Sequence, residues 1–194
     1  WKKLTDLGSD DFFLTTVPKS SLVSFWSRPE AASLAPFETI SATGEGRQVL
    51  FSGAFGGDYS WSPNGDRLII SGSDTSEGTG FSLRIMGEKG TAQNLSLPTL
   101  ISKTAWSKNG RVVYYALPGA LPENTLLPDD YFTKPLNTKD TFWKVDVTTG
   151  KKTRLIELKA STRSFDSSDL FLSDDETFLF FTDRVDKRLY RIEL

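Results

Sequence analysis

With no cysteine and no histidine in 194 residues, this chain must do any chemistry with carboxylates, hydroxyls, lysines and arginines. The missing cysteines remove thiol catalysis, disulfides and thiolate-bound zinc. The missing histidines remove the commonest general base and transition-metal ligand. No G-x-S-x-G elbow marks a serine nucleophile, and a serine triad here would need a base other than imidazole. Carboxylates are what remain. They gather at Asp129-Asp130, at Asp166 and Asp169 around Ser167-Ser168, and in Ser173-Asp174-Asp175-Glu176. A hard cation such as Ca²⁺ wants six or more oxygens from a wrapped loop. No D-x-[DN]-x-[DN]-G pattern supplies them, so neither a metal nor another cofactor is expected. Two acids could still form a glycosidase pair, because the separation that matters is spatial. Their spacing marks no such pair, and solvated turns are the favoured reading.

Bulk charge narrows the partners. The 23 Lys and Arg nearly balance 25 Asp and Glu, for a net charge of −2. That leaves no basic excess to hold a phosphate backbone, so nucleic acid is not an expected partner. No apolar run reaches the ~20 residues that cross a bilayer, so no membrane insertion is expected within this chain. The sequence opens on Trp1 without a charged-then-apolar leader, which reads as a processed or excised piece of something longer.

The elements that would position these groups repeat. Tyr59-Ser-Trp-Ser-Pro-Asn-Gly-Asp-Arg-Leu-Ile-Ile70 is echoed by Thr104-Ala-Trp-Ser-Lys-Asn-Gly-Arg-Val-Val-Tyr-Tyr115. Asn-Gly between apolar runs gives the positive φ that a tight hairpin needs, and Pro63 presets the first corner. Around each turn a four-strand phrase can be laid out. In the second repeat it runs through 58–62, 67–72, 81–86 and on to Leu97, with a Gly87-Glu88-Lys89-Gly90 hairpin. In the third it runs through 112–116, 142–147 and on to Leu158. The fourth has 170–172, 178–182 and 189–194 with no fourth strand, and the first is more worn, over 12–51. Stacked sheets of this size predict an all-β propeller of four four-stranded antiparallel blades. Approximate spans are 8–52, 53–98, 99–158 and 159–194, with residues 1–7 completing the last. The unit is either a small closed ring or half of a larger or dimeric one.

The phrase Trp61-Ser62-Pro63-Asn64-Gly65, followed by Arg67-Leu68-Ile69-Ile70-Ser71, resembles the WD40-like (PD40) repeat of bacterial TolB-type propellers. Leu189-Tyr190-Arg191-Ile192 is similar to that family's third strand, and Lys3-Leu4-Thr5-Asp6 to its repeat end. Asn64, Lys108 and Glu176 depart from the motif where Asp, Pro and Gly are usual. The resemblance implies a docking platform, an envelope or cell-surface module, or the non-catalytic half of a prolyl-peptidase. It favours an extracytoplasmic setting. Fold alone does not choose among these roles. A non-catalytic binding or scaffolding module is the favoured expectation. The alternatives are a carboxylate-dependent glycan hydrolase or lyase and the regulatory propeller of a peptidase.

Two features point to a contact surface. Residues 117–139 interrupt the third repeat with Pro118, Pro122, Pro128 and Pro135, which break strand and helix. Long ordered loops are commonly functional or packed as lids. Asp129, Asp130, Tyr131 and Phe132 are its candidate contacts, with Tyr131 and Phe132 foremost. Trp26 and Arg28 begin a shorter loop over 27–36, expected on the same side. Trp61, Trp106 and Trp143 read as packing between blades. Finally, a bare blade face of roughly 400 Å² would leave ~10 kcal/mol of burial unrealised at ~25 cal/mol/Å². That predicts a protein partner or self-association through blade faces or through residues 117–139.

Overall fold

A computed structural model describes residues 1–8, 11–87, 89–119, 121–134, 136–156 and 163–194. Its strands fall into four antiparallel sheets in chain order. The first sheet holds β1 (Phe12–Thr16), β2 (Leu22–Ser27), β3 (Phe37–Ser41) and β4 (Gln48–Phe51). The second holds β5 (Phe55–Trp61), β6 (Leu68–Ser73), β7 (Ser82–Met86) and β8 (Ala92–Asn94). The third holds β9 (Thr104–Trp106), β10 (Val112–Leu117), β11 (Thr141–Asp146) and β12 (Lys152–Arg154), and the fourth β13 (Ser167–Leu172), β14 (Phe178–Asp183) and β15 (Leu189–Glu193). This is the expected blade series.

Burial explains the sequence pattern of each sheet. Every residue of β6 and β7 is buried, because the second sheet has a neighbour on both faces. Strands covered on two sides read as continuous apolar runs, not alternations. In β14, by contrast, buried and half-buried residues alternate along the whole strand, as in a sheet covered on one side only.

Three apolar seams join successive sheets. Trp26 and Phe37 meet Tyr59, Leu68, Ile70 and Met86 between the first and second. Ile69, Leu83, Ile85, Leu95 and Leu97 meet Val113, Tyr115 and Val145 between the second and third. Ala105, Tyr114, Ala116 and Phe142 meet Leu170, Leu179, Phe181 and Ile192 between the third and fourth. Trp61, Trp106 and Trp143 lie at the first two of these seams, as their packing reading required. Among the described residues no such seam joins the fourth sheet to the first.

The first-to-second-strand turns hold hands along one end of the series. Lys19 Nζ donates to Asn64 Oδ1 at 2.6 Å, and Asn64 Nδ2 to the Asn109 carbonyl at 3.1 Å. The Lys108 ammonium pairs with Asp174, and the Lys108 backbone N–H donates to Glu176. Glu176 takes a left-handed φ of 58°, as Gly65 (73°) and Gly110 (67°) do in the equivalent turns. Its side chain gains a neighbour in return for that strain.

Several details depart from the sequence reading. Residues 1–7 form no strand and do not complete the fourth sheet. They lie along the β3–β4 hairpin, where Lys2 Nζ donates to the Thr43 carbonyl and Arg47 Nη1 reaches Thr5 Oγ1 and the Asp6 carbonyl. Residues 117–139 are not wholly irregular, because α1 (Asp129–Thr133) forms immediately after Pro128. Proline is compatible with a helix start, where its missing N–H would be unpaired anyway. β8 stops at Asn94, although the Leu95 N–H still donates to the Leu83 carbonyl and the Leu83 N–H to the Leu97 carbonyl. The expected end of the third blade at 157–158, its boundary with the fourth, and Glu88 lie outside the described residues.

The turn contacts give a test. A Cβ on Gly65, at φ 73°, would stand 2.2 Å from the Pro18 carbonyl oxygen, whereas one on Gly110 would meet only side chains at 3.3 Å or more. Gly65→Ala is expected to cost at least ~1–3 kcal/mol in urea unfolding, clearly more than Gly110→Ala. Equal costs would show that the first and second turns are not pressed together.

Candidate functional site

At the end of the sheets where second strands pass to third, α1 is the meeting point of three blades. Asp129 Oδ1 accepts the Ala31 N–H at 3.0 Å, tying the long loop to the 27–36 loop of the first blade. Pro128 packs so closely on the second blade that a Cβ at Gly56 would fall 2.6 Å from its Cδ. Arg184, just after β14, donates to the Tyr131 carbonyl at 2.7 Å. The two loops picked from the sequence therefore share one side of the molecule and touch.

Beneath Tyr131 lies a closed ionic cluster between the third and fourth sheets. Lys103 is fully buried. Its ammonium faces Asp140 Oδ2 at 2.6 Å, Asp166 Oδ1 at 3.0 Å, Thr138 Oγ1 at 3.0 Å and the Ser167 carbonyl at 2.6 Å. Asp140 Oδ2 also accepts the N–H and hydroxyl of Ser167. Tyr131 donates its hydroxyl to Asp166 at 3.2 Å, and its ring sits under the Arg184 guanidinium at 3.8 Å. Burial pushes the Tyr131 phenol up, with the Asp166 charge adding to the effect. The ammonium has three N–H donors and four acceptors around it, so no donor is left for a substrate. This cluster holds blades together.

A second polar site is open. A pocket of about 170 Å³ is lined by Asp11, Phe13, Arg28, Pro29, Asp58 and Phe132. Phe13 is 46% exposed and Phe132 52% exposed, so two aromatic edges face solvent at its mouth. Behind them Trp26 is buried, with Phe13 stacked on it at 5.7 Å. Trp26 Nε1 donates to Asp58 Oδ1 at 3.1 Å, as does the Tyr59 N–H at 2.9 Å. Arg28 pairs with Asp11 at 3.3 Å. Among the described residues no Lys or Arg forms an ion pair with Asp58. Burial raises the Asp58 carboxyl to about 6, against the pull of its two N–H donors. The pocket thus offers a desolvated carboxylate, a second acid balanced by arginine, and aromatic walls.

Of the six residues singled out from sequence, Arg28 and Phe132 line this pocket and Trp26 backs it. The other three serve the scaffold. Tyr131, expected at a contact surface, is 1% exposed, because its ring fills the space between Lys103 and Arg184. Asp129 staples two loops, and Asp130 binds the Leu126 N–H and the Lys134 ammonium of its own turn. Sequence reasoning missed Asp58 and Lys103. Their signal was a charged residue set inside an otherwise apolar strand or strand approach. The remaining acidic clusters are turns: Asp175 accepts from Ser173 and Thr177, which hold its carboxyl down at about 2. Among the described residues no three His, Cys, Asp or Glu side chains converge as a metal site needs. A larger cleft of about 450 Å³ opens at the opposite end, lined by Lys19, Trp61, Asn64, Asp66 and Met86 among others. Its charged groups are already engaged in turn contacts, Lys19 with Asn64 and Asp66 with Ser62.

The two polar sites respond differently to mutation. Lys103→Ala leaves Asp140 and Asp166 buried without a cation, and a loss of ~3–5 kcal/mol is expected in denaturant titration. A loss under ~1 kcal/mol would mean that water reaches the cluster. At Asp58 the folded-state pKa lies above that of the unfolded chain, so the folded form loses stability as the pH rises from about 4 through about 6. Asp58→Asn is expected to flatten that segment of the stability curve and to gain on the order of 2 kcal/mol at neutral pH. An unchanged pH profile would show that the carboxylate is hydrated.

No protein-family model matches this chain, and no curated protein sequence matches it. Solved structures do. TolB from Acinetobacter baumannii superposes with a TM-score of 0.58 at 14% identity, covering 90% of this chain and 39% of TolB. A putative TolB from Agrobacterium tumefaciens gives 0.61 at 15%, covering 94% and 58%. An oligogalacturonate lyase in complex with manganese gives 0.63 at 15%, covering 94% and 48%. The chain thus spans roughly two-fifths to three-fifths of these proteins. At such identities the likeness speaks for the fold alone: the chain has the β-propeller fold of TolB-type proteins.

Proposed function

We propose that this propeller module is a non-catalytic binding platform of the cell envelope or cell surface. It captures a partner protein through a lysine or arginine side chain inserted between Phe13 and Phe132 and directed at Asp58. One observation carries the reading. Asp58 is a half-buried carboxylate with two N–H donors and, among the described residues, no ion pair, in an aromatic-walled pocket that opens to solvent. A buried anion without a counter-charge costs stability, and a cation on an apolar stem supplies what the pocket lacks. Aromatic walls add a cation–π attraction of about 0.5–2 kcal/mol. The Arg28–Asp11 pair at the rim suits orientation more than affinity, since exposed pairs contribute little.

A glycan-cleaving role has less behind it. It finds support in the likeness to a lyase fold, but the buried acids of the third and fourth blades are fully engaged by Lys103, Ser167 and Arg184.

The test is NMR titration with acetyl-arginine-amide and acetyl-lysine-amide. The Trp26 indole and Tyr59 amide signals are expected to move and saturate, with affinity falling at least tenfold in Asp58→Asn and several-fold in Phe132→Ala. Shifts that survive Asp58→Asn unchanged would remove the reading. So would growth of unsaturated-uronate absorbance on incubation with oligogalacturonate.

A further inference from the structure

The Lys103 cluster contains reactive groups that ion pairing alone does not use. A buried lysine amine is a nucleophile once it has lost its proton, and a carboxyl group is an electrophile once it has gained one. Lys103 ends the short turn of helix Ile101–Lys103 that leads into β9. Asp140 lies just before β11 and Asp166 just before β13, and all three side chains are buried. The Tyr131 ring covers the amine, with its centroid 4.8 Å from Nζ.

Hydrogen-bond accounting marks a proton path between these groups. Thr138 Oγ1 lies 2.6 Å from Asp140 Oδ1 and 2.9 Å from Asp166 Oδ1. A hydroxyl has one hydrogen to donate, so Thr138 fills only one of the two contacts. The other is filled when the carboxyl group itself carries a hydrogen. Lys103 Nζ stands 3.0 Å from the same Asp166 oxygen. A proton can therefore pass from the ammonium to Asp166 and, through the Thr138 hydroxyl, to Asp140 Oδ1.

The two acids differ in what else holds them. Asp166 Oδ2 faces the Arg184 guanidinium at 3.4 Å, so it keeps a cation when Lys103 gives up its charge. Among the described residues Asp140 forms an ion pair with Lys103 alone. Its Oδ2 accepts the Ser167 N–H at 2.7 Å and the Ser167 hydroxyl at 2.6 Å. Two donors fixed on one carboxyl oxygen stabilise the charge that develops there when the carbon is attacked.

We propose that Lys103 and Asp140 condense to an amide, a covalent tie within the third blade. Asp166 takes a proton from the ammonium, and Thr138 relays one to Asp140 Oδ1. The Nζ lone pair attacks Asp140 Cγ, and the carbonyl electron pair moves onto Oδ2 beneath the Ser167 donors. A second proton leaves nitrogen by the same path. The pair on Oδ2 then re-forms the carbonyl, the Cγ–Oδ1 bond breaks, and Oδ1 departs as water with both hydrogens. Asp166 and Thr138 end as they began, and nothing is oxidised or reduced. The one N–H left on the amide has the Ser167 carbonyl, 2.6 Å from Nζ, as its acceptor. Contact between amine and acid in a buried site supplies the proximity that the condensation needs. The loop closed by residues 103 and 140 contains α1 and Phe132. Such a tie restricts the unfolded chain as a disulfide does, in a protein without cysteine. None of these groups lines the Asp58 pocket, so the tie is independent of the binding role.

Intact-mass spectrometry of the denatured 194-residue chain should read one water below the sequence mass. Tryptic digestion should yield a branched peptide that joins residues 90–108, uncut at Lys103, to residues 140–144. Lys103→Arg keeps the cation but removes the amine, and should show its full sequence mass. Asp166→Asn cannot take up the proton, and should also stay at full mass with its strand circular-dichroism signal intact. A wild type that remains at the sequence mass after prolonged incubation overturns the inference. So does a lost water that maps to any other pair of residues, or a cross-link that forms in Asp166→Asn at the wild-type rate.

Discussion

A sheet with two apolar faces is dry only between neighbours, and this constraint organises the molecule. The second and third sheets have a neighbour on each side, and β6 and β7 of the second are buried at every position. The two end sheets cannot. The first is partly covered by residues 1–7 through Arg47, which turns a guanidinium onto Phe25 and neutralises Glu38 on the same face. The fourth keeps its outward residues in alternation and leaves aromatic rings in solvent.

The seams are dry but not uniformly apolar. Lys103, Asp140 and Asp166 put a buried ion cluster where the third and fourth blades meet the long loop. Replacing such a cluster by hydrophobic residues is often neutral, whereas breaking it is costly. Its geometric effect here is to fix Tyr131, and through Tyr131 and Arg184 the placement of α1. α1 in turn presents Phe132 to the open pocket and pins Ala31 through Asp129. A structural ion cluster beneath α1 thus sets one wall of the neighbouring open pocket.

The two polar sites differ in how their acids are satisfied. In the Lys103 cluster every charge has a counter-charge and the donors are consumed. At Asp58 the N–H donors are present but no ion pair is among the described residues, and burial raises the carboxyl to about 6. Perturbed carboxyls gather at functional sites because function asks for charge that the fold alone would neutralise.

Much of the fold was legible in the chain itself. The Ser-x-Asn-Gly turns, the apolar runs flanking them and their repetition fix strand identity, order and the propeller class, because hairpin geometry and burial period are local properties. The same local logic marked residues 117–139 and 27–36 as loops on one side. It failed where distance along the chain is large. Tyr131 reads as a sticky aromatic until Lys103 and Arg184, 28 residues before it and 53 after, are seen to enclose its ring. Residues 1–7 read as a closing strand until Arg47 is seen to hold them against their own first blade. Asp58 reads as one more strand residue until the fold places it behind Phe13 and Phe132 with no ion pair among the described residues. Local sequence determined which elements exist. Which charges are satisfied and which faces stay bare depended on partners that only tertiary packing brings together.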